Sequence, residues 1–475
     1  MQDDHRAEPG FAPQEEPAPP APRGGIESWP MAFTGDGGVY FGVWIVNILL
    51  TIVTLGLFTP WARRRTIRYF YGHTLVADSP LEFTAGIRRM VLGFLLFAAL
   101  YIAMNVASET GQHAVYGAIL VGGLLLSPFL WGAAMRFRLG HTRWRGLRLR
   151  FTAGWGEVYR ASWPVFAMAA VWLAAGLALG ALVDRANAKE AAAQQVVDKA
   201  MQDWERDAKA RQQAQAAGGG EAASGNDEDA GEGDMDTADP PATRSPPLPR
   251  PTWPMAAIVL GAAVLSLLCF VRLEFNYKRL LVSRAAIGGQ SGYWRPTFRE
   301  FVRIWLATLG FFLLTLAALA LLAALLAGIA ALAAGGLAAL GGSHRRTTMI
   351  ALVIVGFVIL GFAFFLAASP AMAYREARMF QLVWNNIGVS HMARFRTDLR
   401  TSAFVWLRIR NLLLSMITGG FYRPFARVAE YRMKAESVTL HVKGGLAPLV
   451  GTLEREQKDG FGDAVADALG LDMIG

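Results

Sequence analysis

Uncharged apolar runs separated by short basic stretches make up most of the chain. The runs lie near 41–59, 90–107, 114–135, 164–183, 253–271, 305–327 and 349–373, with a weaker one near 403–421. A helix of about 20 residues crosses ~30 Å of hydrocarbon. The pattern therefore predicts an all-α, multi-pass helical membrane protein with about 7–8 apolar segments. Two stretches resist simple counting. Ile304–Ser343 has no charge and, as one helix, would be about 60 Å long, so a break is expected near Gly335-Gly336. The run at 403–421 contains Arg408 and Arg410, and arginine at a bilayer centre costs ~2.5–3.5 kcal/mol or more. The last run, and with it the first, is left free either to span or to re-enter.

The apolar runs carry internal repeats, which bear on fold before anything else. Tyr40–Arg68 has an amide in an apolar run (Asn47), a glycine break (Gly56), a proline (Pro60) and then basic and aromatic residues. Asn411–Arg432 repeats this order at one constant offset, pairing Asn47 with Asn411, Gly56 with Gly420 and Pro60 with Pro424. Gly72-His73-Thr74 recurs as Gly140-His141-Thr142, and Phe83-Thr84-Ala85-Gly86 as Phe151-Thr152-Ala153-Gly154. Weaker copies place Arg279 and Arg378 beside Arg136, and Gly388 beside Gly146; Phe395 fits only after a slip. Arg68, Arg136, Arg279, Arg378 and Arg432 thus occupy equivalent positions past a helix stop.

Charge then sets topology. The short basic segments 60–89, 136–163, 272–303 and 374–402 are expected on the cytoplasmic side. The long acidic stretch 184–252 is expected outside, its first part continuing a helix and its Gly/Asp/Glu/Pro-rich second part disordered. The implied organisation is a disordered tail (1–30), a membrane region (31–183), an extramembrane loop (184–252), a second membrane region (253–435) and a cytoplasmic tail (436–475). In that tail Glu436–Val442 alternates like a short strand, and Phe461–Ile474 reads as an acidic amphipathic helix. The 475 residues have a mean hydropathy of +0.31, a net charge of +9 and one cysteine, Cys269. One cysteine excludes a disulfide framework. The arginines flank apolar runs, so the charge is not a nucleic-acid signature.

Candidate chemistry is sparse. P-loop, dinucleotide-binding, zinc-protease and nucleophile-elbow motifs are missing from the sequence. Asn47, Asn105 and Asn411 are the candidate buried polar positions; helix–helix hydrogen bonding is the bland reading of each. The line-up of Asn47 with Asn411 suggests a central pseudo-symmetric pair. His73 and His141 are repeated histidines past helix ends, where a hydrogen-bonded role outweighs a metal or proton-relay one. Trp155, Tyr159, Trp163, Trp294, Phe298, Phe301 and Trp305 read as an interfacial aromatic belt. No cofactor is expected. The expected partners are membrane lipids, with homo-oligomerisation left open and no nucleic acid.

YFGVWIVNILLTIVTLGLFTPWARRRTIRYFYGHTLV, NLLLSMITGGFYRPFARVAEYRMKAESVTL and the tail GFGDAVADALGLD, in that order, resemble the YjgN / DUF898 family of bacterial inner-membrane proteins. The resemblance covers about 31–183 and 253–475; the loop 184–252 and the Gly/Ala-rich run 305–342 depart from it. It implies a multi-pass inner-membrane protein, and supplies no functional residues. The sequence then supports a non-enzymatic passage or carrier for a small solute, with a membrane organiser or anionic-lipid-binding scaffold as the alternative. A continuous polar path past Asn47 and Asn411 would favour the first; a closed apolar core would favour the second.

Overall fold

The computed structural model describes residues 25–218, 252–333, 345–389, 392–455 and 457. In chain order they form β1 (Ile26–Pro30), β2 (Ala32–Phe33), α1 (Gly37–Val53), α2 (Thr59–Gly72), β3 (Thr74–Val76), β4 (Ser79–Phe83), α3 (Ile87–Glu109) and α4 (His113–Gly140). Next come β5 (Thr142–Trp144), β6 (Leu147–Phe151), α5 (Trp155–Ala161), α6 (Trp163–Gly218), α7 (Trp253–Arg284), β7 (Ala285–Ile287) and β8 (Gln290–Trp294). The chain ends with α8 (Phe298–Ala333), α9 (Arg345–Trp384), β9 (Ile387–Val389), β10 (Ala393–Thr397), α10 (Thr401–Ile417), α11 (Arg423–Glu436), β11 (Val438–Lys443) and a helix over 446–455, α12. Met1–Ser162 with Val271–Gly475 is one unit; Trp163–Phe270, holding α6 and the first part of α7, is another.

The fold is not all-α. Short strands pair antiparallel in the order β1-β11-β10-β9-β8-β7-β6-β5-β4-β3-β2, an 11-stranded sheet. Its two end strands are consecutive in the chain. Between them the Met31 amide donates to the Val438 carbonyl at 2.8 Å, so β1 and β2 together close the ring. Strands β3 to β10 lie in the basic segments between apolar runs, where positive-inside counting reads them as loops. Leu147-Arg148-Leu149-Arg150-Phe151 and Ala393-Arg394-Phe395-Arg396-Thr397 alternate with period two, the mark of a half-buried strand. Their apolar members face the ring interior and their arginines are exposed.

Two-residue turns join the strand pairs. Ala77-Asp78, Arg145-Gly146 and Gly288-Gly289 all have positive φ at both positions, the geometry that matches the twist of a β-hairpin. The fifth pair has no such turn, because it is made from the two ends of the chain: β11 pairs with β1. Successive pairs join in one register. Phe33 faces Thr74, Phe83 faces Thr142, Phe151 faces Ala285, Trp294 faces Ile387 and Thr397 faces Val438. The helical segments between strand pairs therefore leave and rejoin the sheet at equivalent strand ends. The fourth pair differs: residues 390–392 separate its strands, and β9 starts late after Asn385-Asn386. Gly388 is consequently a strand residue, not the counterpart of the turn glycine Gly146, and Thr397 rather than Phe395 takes the position of Phe151.

Among the described residues five helices are long and apolar enough to cross a membrane, rather than seven or eight: Ile87–Glu109, His113–Gly140, Trp163–Gln213, Trp253–Arg284 and Phe298–Leu325. The expected break near Gly335-Gly336 and the helix over 461–474 lie outside the described residues. α1 and α10, at 17 residues each, are too short for a comfortable crossing, being about 25 Å long. Each turns sharply and returns as an arginine-bearing helix of 14 residues, α2 or α11. Phe301 does not join an interfacial belt. It is fully buried with Val271, Phe275 and Met379, because α8 continues from the sheet rim as a single helix packed on α7 and α9.

Candidate functional site

The repeated polar residues serve backbone closure. In α1 the Asn47 amide donates to the Ala62 carbonyl of the returning helix at 3.3 Å, and in α10 Asn411 donates to Ala426 at the same distance. Thr54 and Thr418 repeat each other too. Each hydroxyl donates to a carbonyl one turn back at 2.7 Å and accepts the amide of Phe58 or Tyr422 at 3.0 Å. The two hairpins are ring neighbours, α1 lying on α11, with Phe41 and Phe425 stacked at 5.6 Å and Trp44 edge-on to Phe421 at 6.4 Å. Asn105 is exposed, not buried: its amide donates to Tyr101 one turn back on its own helix, which needs no partner helix.

The repeated histidines close helix ends. His73 Nδ1 lies 2.7 Å from the Tyr69 carbonyl, and His141 Nδ1 the same distance from that of Phe137. Arg136 donates to the Ala153 carbonyl at 2.6 Å and Arg432 to the equivalent Gly35 carbonyl at 2.6 Å, clamping the loop that leaves the second strand. In the fourth repeat Gln381 reaches the corresponding Leu399 carbonyl, and Arg378 donates to Gln381 at 3.3 Å. Arg68 and Arg279 are exposed. The N-cap Asp36 accepts the amides of Val39 and Gly38, which hold its carboxyl below the ordinary value. Burial pushes the Tyr431 phenol up; its oxygen lies 2.9 Å from Thr74 Oγ1.

A different set of residues forms the densest charge cluster. Glu274 of α7 takes Lys278 at 2.7 Å, Arg375 of α9 at 3.1 Å and the Trp305 indole at 2.9 Å. Arg408 of α10 meets Glu376 at 3.0 Å and also pairs with Glu430 of α11, while Lys434 pairs with Glu376. All of these groups except Trp305 and Glu430 line a chamber of about 410 Å3 between α7, α9, α10 and α11. Its wall carries four cations (Lys278, Arg375, Arg408, Lys434) and two carboxylates (Glu274, Glu376). Sequence reasoning passed over this cluster because each charge sits at the edge of an apolar run, where it reads as an anchor. The spacing of Glu274 and Lys278 by one helical turn was the available signal.

The barrel interior is apolar and closed at its turn end. Val438, Leu440, Val442, Ala393, Trp144 and Leu147 point inward, and α12 inserts Leu446, Leu449 and Leu453 among them. Glu27 of β1 accepts the Leu446 amide at 3.0 Å, capping α12. A Cβ on Gly288 would stand 2.4 Å from the Leu453 carbonyl, so the turn has room for α12 only as glycine. Between α12 and the helix ends lies a cavity of about 340 Å3, lined by Leu81, Leu139, Leu149, Ile287, Val389 and Phe395 among others. Trp384 lines both this cavity and the charged chamber. Among the described residues no group of three or more His, Cys, Asp or Glu is placed to hold a metal ion.

Residues 28–468 match the family model described as "Bacterial protein of unknown function (DUF898)". Over 139 residues the chain is 32% identical to the inner membrane protein YjgN of Salmonella typhimurium strain LT2, covering 29% of this chain and 34% of the relative. Over 141 residues it is 26% identical to the protein of the same name from Escherichia coli O157:H7, covering 30% and 35%. The chain thus aligns with about a third of the length of these curated relatives. No solved structure matches it.

Proposed function

Since the chain belongs to the DUF898 family and is a multi-pass protein of the bacterial inner membrane, we propose that it works there as a non-enzymatic scaffold that binds anionic lipid headgroups. One observation carries this reading: the barrel interior is lined by apolar side chains and stopped at its turn end by α12. Asn47 and Asn411 each lie inside their own hairpin rather than along a polar path. Both facts weigh against a passage for polar solute through the ring.

The two short hairpins supply the lipid-binding surface. Their tips are greasy, with Leu55 94% and Ile417 81% exposed. On α2 the exposed Arg63 and Arg65 follow about 6–9 Å behind the start of the helix. Charges so near the tip favour a hairpin that inserts its apolar end and holds its arginines at headgroup depth. Purified protein is expected to retain anionic lipid through detergent washing. Replacing Arg63, Arg65 and Arg68 together by Gln is expected to remove most of it while leaving the protein monodisperse. Saturable flux of a small solute through reconstituted vesicles, with no retained anionic lipid, would overturn the reading in favour of a carrier.

A further inference from the structure

The cavity inside the barrel has no assigned occupant, and its surroundings define one. Its lining includes no charged side chain, and the Trp144 indole at its edge is already spent on the Val76 carbonyl at 2.9 Å. Water needs two or more polar partners to settle in such a space, so the cavity is not a water site. α12 closes the turn end. Toward the membrane the cavity adjoins the charged chamber at Trp384, whose ring packs on Phe380 at 5.6 Å and Phe395 at 5.2 Å. In that chamber Lys278 and Arg375 share one carboxylate, Glu274. Arg408 and Lys434 share Glu376, and Arg408 also pairs with Glu430. Four cations thus meet three carboxylates, which leaves one net positive charge beside an apolar pocket.

We propose that the barrel binds a single-chain anionic amphiphile, with its hydrocarbon chain in the cavity and its head among Lys278, Arg375 and Arg408. The chemistry needed is one acyl chain and one anionic head, as in a free fatty acid or a lysophospholipid. A cavity of about 340 Å3 is the scale of one hydrocarbon chain rather than two. Burial of the chain gains free energy with every methylene, and the head meets fixed cations that need no reorganisation. This site is separate from the arginines of α2 and does not depend on the scaffold reading.

The test uses full-length protein in detergent and 11-dansylundecanoic acid as the probe. Saturable binding near one per chain is expected, with a blue-shifted emission. Ala286→Trp, which fills the cavity from β7, is expected to weaken it at least tenfold. Arg375→Gln is expected to weaken the acid similarly and the neutral 11-dansylundecanol much less. Ile387→Phe repeats the filling from β9 should Ala286→Trp fail to fold. Displacement by oleate assigns a carboxylate head; displacement by lysophosphatidylglycerol assigns a phosphate head. Unsaturable probe uptake, or filled variants that bind like the native chain, would overturn the proposal. Binding of the filled variants to anionic vesicles stays normal, which separates a failure here from a failure of the scaffold reading.

Discussion

The first and last helical hairpins share their backbone plan and differ in the charges around it. In α1–α2 the Asn47 oxygen faces Arg65 at 3.5 Å, and the arginines beyond it are exposed. In α10–α11 the equivalent amide donates to Glu430 at 3.2 Å, and Glu430 also pairs with Arg408. The last hairpin is thereby tied to α9 through Glu376, whereas the first offers its cations to the surroundings. One local grammar, an amide bond across a glycine turn, builds both. What each hairpin does follows from the neighbours that meet its polar face.

The strongest way to break this comparison is to open the ring that holds both hairpins. Deleting residues 1–31 removes β1 and the Met31 bond to Val438; monodisperse protein is expected to disappear on size exclusion, while deletion of residues 1–24 keeps it. Next in size is Glu430→Ala. It removes one of the two carboxylates that meet Arg408 and one of the two acceptors of Asn411, and about 2 kcal/mol of stability is expected to go, read as a fall in thermal midpoint in detergent. Charge reversal of the exposed Arg63 should leave that midpoint in place, because nothing in the hairpin's closure uses it. Gly37→Leu should cost roughly 1–3 kcal/mol, since even a Cβ there would stand 2.9 Å from Phe425 Cδ1 at the seam between the hairpins.

The two amides sharpen the contrast further. Asn411→Ala is expected to cost about 1–2 kcal/mol and Asn47→Ala about half as much, because only Asn411 is also bonded to a partly buried carboxylate. Equal effects would mean that the neighbouring charges are irrelevant to hairpin closure. The smallest expected effect is one of pH. The Asp36 carboxyl titrates lower folded than unfolded, so its support of α1 is complete above the unfolded value and fades as pH falls through the folded one. Asp36→Asn should flatten that acid limb of the stability curve, a difference visible in parallel melts across the acid range.

The amino-acid sequence determined the membrane character, the repeats and the equivalence of Asn47 with Asn411, since apolar length and constant spacing are local properties. The strand over Val438–Lys443 was legible for the same reason, its alternation being uninterrupted. The other strands were not, although Leu147–Phe151 alternates as plainly. They are two to five residues long, and most lie in short basic stretches between apolar runs, which satisfy the rule for a cytoplasmic loop equally well. Only the tertiary structure decided that these stretches pair into a ring closed by the two ends of the chain. Pairing is a property of two segments, and β1 meets β11 across nearly the whole sequence. For the same reason the charged chamber became visible only in three dimensions. Glu274, Arg375, Arg408 and Lys434 come from four helices, and nothing along the chain says that their ends converge.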